Sequence, residues 1–351
     1  MPVLRGDDPV AVLAAAQRLA DGELVAFPTE TVYGLGARAD DDDAVARIYA
    51  AKGRPVDHPL IVHLGQASDV AEFAAVVSPA AQRLMQAFWP GPLTVILPRR
   101  PSRAAAAAGG QDSIGLRVPA HPVALALLKE AARRGVAGVA APSANRFGRI
   151  SPTSAAHVQQ EFDASLWVLD GGACAVGIES AIVDCRGAAP VLLRPGQLGR
   201  ARIEAVLGQA LGAADAQSPR ASGTLASHYA PRARLHLFDP AELAAGAPPP
   251  WVQVHPFAGG QALRAERPHE QAAQGAGVYS RAEPARSAVV SDGLQCVHWR
   301  RMPDQADAVA QELFAVLREL DTIGVSAIWV ERPPAGSDWD GVHDRLQRAS
   351  A

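Results

Sequence analysis

The sequence predicts a two-domain α/β protein, and three observations carry that expectation. At 351 residues the chain is longer than one ordinary core. Apolar runs of strand length alternate with amphipathic stretches of helical period. Between residues 208 and 231 the composition shifts to Gly, Ala, Ser and Pro, which reads as an interdomain linker. The expected organisation is therefore residues 1–207, a linker at 208–231 that folds over a site, and a second α/β domain at 232–351. A composition of 48% apolar and 20% charged residues fits a globular protein with buried sheets.

The same sequence argues against other classes. No apolar stretch approaches membrane-spanning length. Met1 to Asp8 lacks the basic-then-apolar pattern of a signal peptide. Cys174, Cys185 and Cys296 are odd in number, far apart and form no Cys-x-x-Cys pair. They point away from a disulfide framework or a zinc site and toward a reducing, cytoplasmic compartment. A net charge of −3 makes no global case for nucleic-acid or membrane binding, so any basic surface must be local.

Taken in order, Asp8-Pro9 opens a helix with Val12, Leu13, Ala16, Leu19 and Ala20 on its apolar face, ended by Gly22. Leu24 to Phe27 is a buried strand, stopped by Pro28. It leads into Thr29-Glu-Thr-Val-Tyr-Gly-Leu-Gly36, a hydroxyl-rich loop whose glycines let a ligand approach the main chain. Asp40 to Asp43 start a second helix with Val45, Ile48 and Tyr49 inward; a solvated helix start explains the four aspartates better than a metal site. That helix delivers Lys52-Gly-Arg-Pro-Val-Asp-His-Pro-Leu60, where Gly and Pro stop it and present two cations from a rigid loop before the strand Leu60–Leu64. Phosphate or carboxylate binding is the natural use of such a pair.

A helix from Pro79 to Phe88 precedes a Pro-Gly-Pro turn and a strand to Leu97, and residues 101–112 read as a flexible loop. Ser113 to His121 alternates as a half-buried strand, with Ser113, Gly115 and Arg117 sharing one face. An arginine facing small residues makes room for an anion, with an exposed sheet face as the alternative. After a helix at about 121–134, the run 138–141 enters Pro142-Ser-Ala-Asn-Arg-Phe-Gly-Arg149, and Thr153 reads as the N-cap of a helix from Ser154 to Phe162. Ser143, Asn145, Arg146 and Arg149 beside that helix start form an anion cradle. Strands follow at 166–170, 179–184 and 190–196, the last placing Arg194 before a Pro-Gly stop. Beyond the linker, strand-like runs at 234–238, 251–254, 277–280, 289–290, 296–299 and 325–330 alternate with helices at 305–320 and 339–348. Pro248 to Pro250 and residues 258–276 read as loops, and nothing catalytic stands out there.

Lys52, Arg54, Arg117 and Arg194 thus lie at strand or helix ends among Ser, Thr and Asn, where open α/β sheets bind ligands. Such a set suits a triphosphate and a small carboxylate. The chain has no Gly-x-x-x-x-Gly-Lys-Ser/Thr loop, no Gly-x-Gly-x-x-Gly turn and no Gly-x-Ser-x-Gly elbow. His58, His63 and His121 lack the pairing of zinc ligands. An RNA-binding module gripping backbone with the same cations is the competing class; few aromatics (5%) and singly placed cations weigh against it.

At Pro28-Thr-Glu-Thr-Val-Tyr-Gly-Leu-Gly36, Lys52-Gly-Arg-Pro55, Pro142-Ser-Ala-Asn145 and Leu193-Arg-Pro-Gly196 the sequence resembles the Sua5/YrdC/YwlC family, over residues 10–205. Ser227-His-Tyr-Ala-Pro231 before further sequence resembles the long, two-domain Sua5 form. The resemblance implies a YrdC-like twisted mixed sheet with a deep basic cavity, a smaller Rossmann-like Sua5 domain, and a linker over the cavity. It implies L-threonylcarbamoyladenylate synthesis from ATP, L-threonine and bicarbonate, with pyrophosphate as second product and Mg2+ on the phosphates. This serves the N6-threonylcarbamoyl modification at position 37 of tRNAs reading ANN codons, with a downstream tRNA threonylcarbamoyl transferase machinery and weak RNA binding as further expected partners. By position in the motifs, Thr31, His63, Arg117, Ser143 and Ser180 would hold threonine. Lys52, Arg54, His58, Ser113, Asn145, Thr153, Arg194 and Tyr229 would hold ATP, and Lys52, Arg54 and Arg117 would act on the reacting groups. Two stretches depart from the family pattern: Ala181 replaces the usual Thr after Glu179-Ser180, and Gly223-Thr-Leu-Ala-Ser227 stands where many relatives carry Met-Lys.

Overall fold

The computed structural model describes residues 2–240, 275–282 and 296–351. The strand-like runs at 251–254 and 289–290, the Pro248–Pro250 stretch and residues 258–274 lie outside the described residues. Strands are β1 Val3–Arg5, β2 Val25–Phe27, β3 Gly34–Arg38, β4 Ile61–His63, β5 Leu93–Pro98, β6 Ser113–Arg117, β7 Val139–Ala140, β8 Trp167–Asp170, β9 Ala181–Asp184, β10 Val191–Arg194 and β11 Gly212–Ala213. After these come β12 Arg234–Phe238, β13 Gly275–Ser280, β14 Cys296–Arg301 and β15 Ala327–Glu331. Helices are α1 Pro9–Ala20, α2 Asp42–Lys52, α3 Val70–Phe73, α4 Pro79–Phe88, α5 Pro122–Arg133, α6 Ala155–Gln159, α7 Arg200–Leu207, α8 Ala306–Ile323 and α9 Asp340–Ala349.

Among the described residues β1 to β11 form one mixed sheet in the order β1-β8-β2-β3-β7-β4-β6-β5-β9-β10-β11, and a separate parallel sheet runs β12-β15-β13-β14. The expected large mixed sheet and smaller α/β unit are both present. Helices α1 and α5 cover one face of the large sheet through Val12, Leu19, Val123 and Leu127, packed against Val25, Phe27 and Val139. The other face packs under α2 and α4 through Val45, Ile48, Tyr49 and Leu84. No helix among the described residues is long and apolar enough to cross a membrane.

Local chemistry explains the element ends. Asp8 caps α1 by accepting from the Val10 N–H, and Pro9 occupies its first turn. Asp41 caps α2 through the N–H groups of Asp43 and Ala44, and Gly53, at φ 64°, closes it in the left-handed region.

Several expectations need correction. Leu13 is 41% exposed while Ala11 and Ala15 are buried, because α1 is turned so that its alanines meet the sheet closely. Gly34 and Gly36 do not close the hydroxyl loop; they open β3, paired with Phe27 and Val25. Residues 101–112 are packed rather than loose: Ala104, Ala107 and Ala108 are buried, and Leu60 N–H donates to Ala107 O at 2.7 Å. Strand β6 is buried along nearly its whole length because β4 and β5 flank it inside the sheet. Ser154, not Thr153, caps α6, which ends at Gln159; the Ser154 hydroxyl reaches the His157 N–H at 3.3 Å.

Candidate active site

The hydroxyl loop after β2 folds back on Thr29, whose Oγ1 donates to Val32 O at 2.6 Å and accepts the N–H groups of Thr31 and Val32. This turn fixes Thr31, fully buried, with its hydroxyl receiving Arg117 Nη1–H at 2.9 Å. Parallel pairing of β4 with β6 sets His63 beside Arg117. An isolated bridge between Gly34 and Ser143 brings the Pro142–Asn145 loop to the same place.

The cations are turned inward. Lys52 does not extend into open solvent as a loop cation would; 3% exposed, its Nζ donates to Ser143 O at 2.6 Å and to Asn145 O. Arg54 donates to Pro59 O at 3.0 Å and to Ser222 Oγ at 3.4 Å. Arg194 donates to Ser180 O at 2.9 Å and to Ser222 O at 2.7 Å. Ser180 Oγ shares a hydrogen bond with Thr94 Oγ1 at 2.8 Å.

Thr31, Arg54, His63, Arg117, Ser143, Ser180, Arg194 and Tyr229 line one cavity, joined by Ser222, Gly223 and His228 of the 208–231 stretch. Its volume is about 40 Å³, because those later residues fill it. With that stretch in place, the deep cavity implied by the resemblance is not shown as open space. Ser113 lines an adjoining hollow that shares Ile61 and Ser222 with the first. Lys52, Asn145, Thr153 and His58 stand off these walls, Lys52 behind Ser143 and Asn145. Asn145 is buried and ties the 146–149 turn through Arg146 O and Arg149 O. Thr153 N–H is held by His157 Nδ1, and the His58 ring lies 5.5 Å from that of Phe147.

Electrostatically the site is arranged for an anion. Burial, reinforced by Arg54, drives the Lys52 ammonium well below the ordinary lysine range. Burial also lowers Arg54, to about 10, with Arg194 adding to the effect. Burial and then Arg117 push His63 down to about 3, so its ring is neutral, and its Nδ1 has no hydrogen-bond partner. Arg117 Nη2 lies 2.7 Å from Glu30 Oε1, yet neither Nη2 nor either Glu30 oxygen has an aligned hydrogen bond. Asn145 Oδ1 and Tyr229 Oη are likewise buried without partners. Polar atoms left in this state mark a place where a ligand completes the network.

Neither Cys174 nor Cys185 offers an activated thiol. Burial raises the Cys174 and Cys185 thiols to about 12. Among the described residues no group of three or more His, Cys, Asp or Glu is placed to hold a metal ion.

Several participants were not singled out from sequence. Glu30 lies inside the hydroxyl-loop motif and Glu179 directly precedes Ser180, so adjacency was the available signal. Ser151, Thr94, Arg318 and Arg345 reach the site only through tertiary packing.

Comparison with known proteins agrees with this architecture. Residues 17–196 match the Sua5/YciO/YrdC family model, described as telomere recombination, and residues 198–351 match a threonylcarbamoyl-AMP synthase C-terminal domain. A threonylcarbamoyl-AMP synthase of Bacillus subtilis is 44% identical over 240 residues, covering 67% of this chain and 68% of that protein. One from Pyrococcus abyssi is 36% identical over 343 residues, covering 96% and 93%. The crystal structure of P. abyssi Sua5 complexed with L-threonine superposes with a TM-score of 0.79 at 32% identity, covering 98% of this chain and 95% of that one. The chain belongs to the Sua5/YciO/YrdC family, in the form that carries the Sua5 C-terminal domain.

Proposed function

We propose that the protein is an L-threonylcarbamoyladenylate synthase, making threonylcarbamoyl-AMP and pyrophosphate from ATP, L-threonine and bicarbonate. The product would feed the N6-threonylcarbamoyl modification at position 37 of tRNAs reading ANN codons, through a separate transferase machinery. One observation carries the reading: Arg54, Arg117 and Arg194 line one cavity with Thr31, Ser143 and Ser180, and there Arg117 Nη2, His63 Nδ1 and Tyr229 Oη are buried without hydrogen-bond partners.

The chemistry needs no protein nucleophile. The threonine nitrogen bonds to the carbon derived from bicarbonate, releasing water and a proton, and forms a carbamate. A carbamate oxygen then bonds to the α-phosphorus of ATP as the bond to the bridging oxygen breaks and pyrophosphate leaves. The protein's share is positioning and charge neutralisation. In our assignment Arg117 pairs with the threonine carboxylate, while Thr31, Ser143, Ser180 and neutral His63 orient its hydroxyl and amine. Lys52, Arg54 and Arg194 neutralise the phosphates; His58, Ser113, Asn145, Thr153 and Tyr229 complete the ATP site. The nearby carboxylates Glu30 and Glu179 are engaged by arginines, so this donor set does not fit a protein-held metal. Mg2+ belongs with ATP as part of the substrate. We assign residues 1–207 to catalysis, 208–231 to the linker and 232–351 to the second domain.

The RNA-binding alternative gains nothing from the geometry: Lys52, Arg54, Arg117 and Arg194 are 3%, 7%, 3% and 2% exposed and form no stripe on the surface. The test is pyrophosphate release from ATP with threonine and bicarbonate omitted in turn. Release requiring both, and lost in Lys52→Ala and Arg117→Ala, supports the proposal. Release independent of threonine would contradict it.

A further inference from the structure

The second sheet's helices reach into the walls of the cavity. Arg345 on α9 is completely buried, and every partner it has is named by short hydrogen bonds. Its Nε donates to Glu179 Oε2 at 2.8 Å, Nη2 to Glu179 O at 3.0 Å, and Nη1 to Pro195 O at 2.9 Å and Asp344 Oδ2 at 2.7 Å. Glu179 precedes Ser180, and Pro195 follows Arg194, so one guanidinium grips the backbone beside two cavity-lining residues. The same group lies 5.5 Å from the Tyr229 ring centroid.

The contact is built for close approach. A Cβ on Gly341 of α9 would stand 2.8 Å from Gly196 O, and one on Gly196 would stand 2.9 Å from Glu179 O. Glycine at 341 therefore lets the helix lie against the 194–196 turn, and glycine at 196 lets that turn lie against Glu179. The other Glu179 oxygen accepts Ser151 Oγ–H at 2.5 Å. Arg318 of α8 donates to Ile150 O and pairs with Glu161 at 2.8 Å, gripping that neighbouring loop in turn. Apolar packing runs across the same seam, joining Val32, Ile150, Ile178 and Tyr229 to Phe314, Val342 and Leu346.

Resting on the synthase reading, we infer that Arg345 is a positioning residue for the reaction: by clamping Glu179 and Pro195 it sets Ser180 and Arg194 for threonine and ATP. The second domain thereby becomes part of the catalytic architecture rather than an appendage. Arg345 acts through these neighbours and does not line the cavity itself.

Arg345→Lys keeps the charge but cannot hold Glu179 and Pro195 together in a planar fork. Calorimetric titration with L-threonine, melting temperature, and KM and kcat for pyrophosphate release would be measured on this variant and the full-length wild type. The expected result is a folded protein with threonine bound at least ~10-fold more weakly and kcat/KM lowered about 100-fold, the scale of a small misplacement near reacting groups. A second variant, Glu179→Gln with Arg345→Met, removes both buried charges; it should melt near the wild-type temperature yet stay defective. Wild-type threonine affinity and turnover in either variant would overturn the inference, reducing Arg345 to charge balance. A wild-type protein that neither binds threonine nor releases pyrophosphate would overturn the synthase reading along with it.

Discussion

Two buried arginine–glutamate pairs flank the cavity and are built differently. Arg345 and Glu179 satisfy each other, Arg345 also holds the Glu179 and Pro195 carbonyls, and Glu179, which burial alone would raise, is held below the usual carboxylate range by Arg345 and Arg194. Arg117 and Glu30 are as close, at 2.7 Å, but leave Nη2 and both carboxylate oxygens without aligned hydrogen bonds. The difference separates structure from function. A completed pair fixes the position of what it touches, whereas an incomplete one beside a cavity waits for a ligand's charge.

That contrast is open to direct attack. The largest effect should come from the incomplete side. Arg117→Ala should lower kcat for pyrophosphate release about 100- to 1,000-fold, the range seen when one transition-state donor is removed. Arg345→Met strikes the completed side, and leaving Glu179 buried without its cation should cost about 3–5 kcal/mol in urea unfolding. Equal stability losses from Arg345→Met and Arg117→Met would erase the distinction.

Acidification sharpens it further. His63 and His228 both fall to about 3 from an ordinary 6.5. For His228 burial dominates, with Glu179 opposing and Arg54, Lys52 and Arg194 adding to the drop. Because the folded values are depressed, the unfolded chain takes up protons first. Stability is complete above about pH 6.5 and is lost as pH falls toward 3, by about 2 kcal/mol per histidine at pH 5. The gap between urea midpoints at pH 7 and pH 5 should narrow in His228→Gln, with the share of His63 remaining; an unchanged gap would contradict the assignment. Glu179 contributes in the same direction below about pH 4.5.

The smallest effect concerns the linker. Tyr229 holds φ at 64° with its hydroxyl unpartnered, while His228 N–H is tied to Arg348 O at 3.0 Å. Tyr229→Ala should weaken ATP binding about tenfold, an aromatic contact's worth, and threonine binding less. Equal losses in the two titrations would break the link between this residue and the nucleotide.

The pattern of legible and hidden parts has a physical cause. The hydroxyl loop, Lys52-Gly-Arg54 and Leu193-Arg194 were readable because strand ends, Gly and Pro concentrate polar residues locally. Packing of 101–112 was not, since a run of alanines shows neither period nor charge and gains its place only by fitting beneath Tyr49, which donates to Ala106 O. Arg345 was hidden for a stronger reason. On an amphipathic helix it reads as a solvated charge, and its partner Glu179 lies 166 residues away. Lys52 is legible as a cation, but its inward direction is not, because the carbonyls of Ser143 and Asn145 that draw it in lie some ninety residues further along the chain.

If carbamoylation precedes adenylation in one cavity, the bicarbonate carbon must end in the adenylate. Protein incubated with ATP, L-threonine and carbon-13 bicarbonate should yield an adenylate whose mass includes threonine, one labelled carbon and AMP. An adenylate of threonine without that carbon, or pyrophosphate release undiminished when bicarbonate is withheld, would contradict the account.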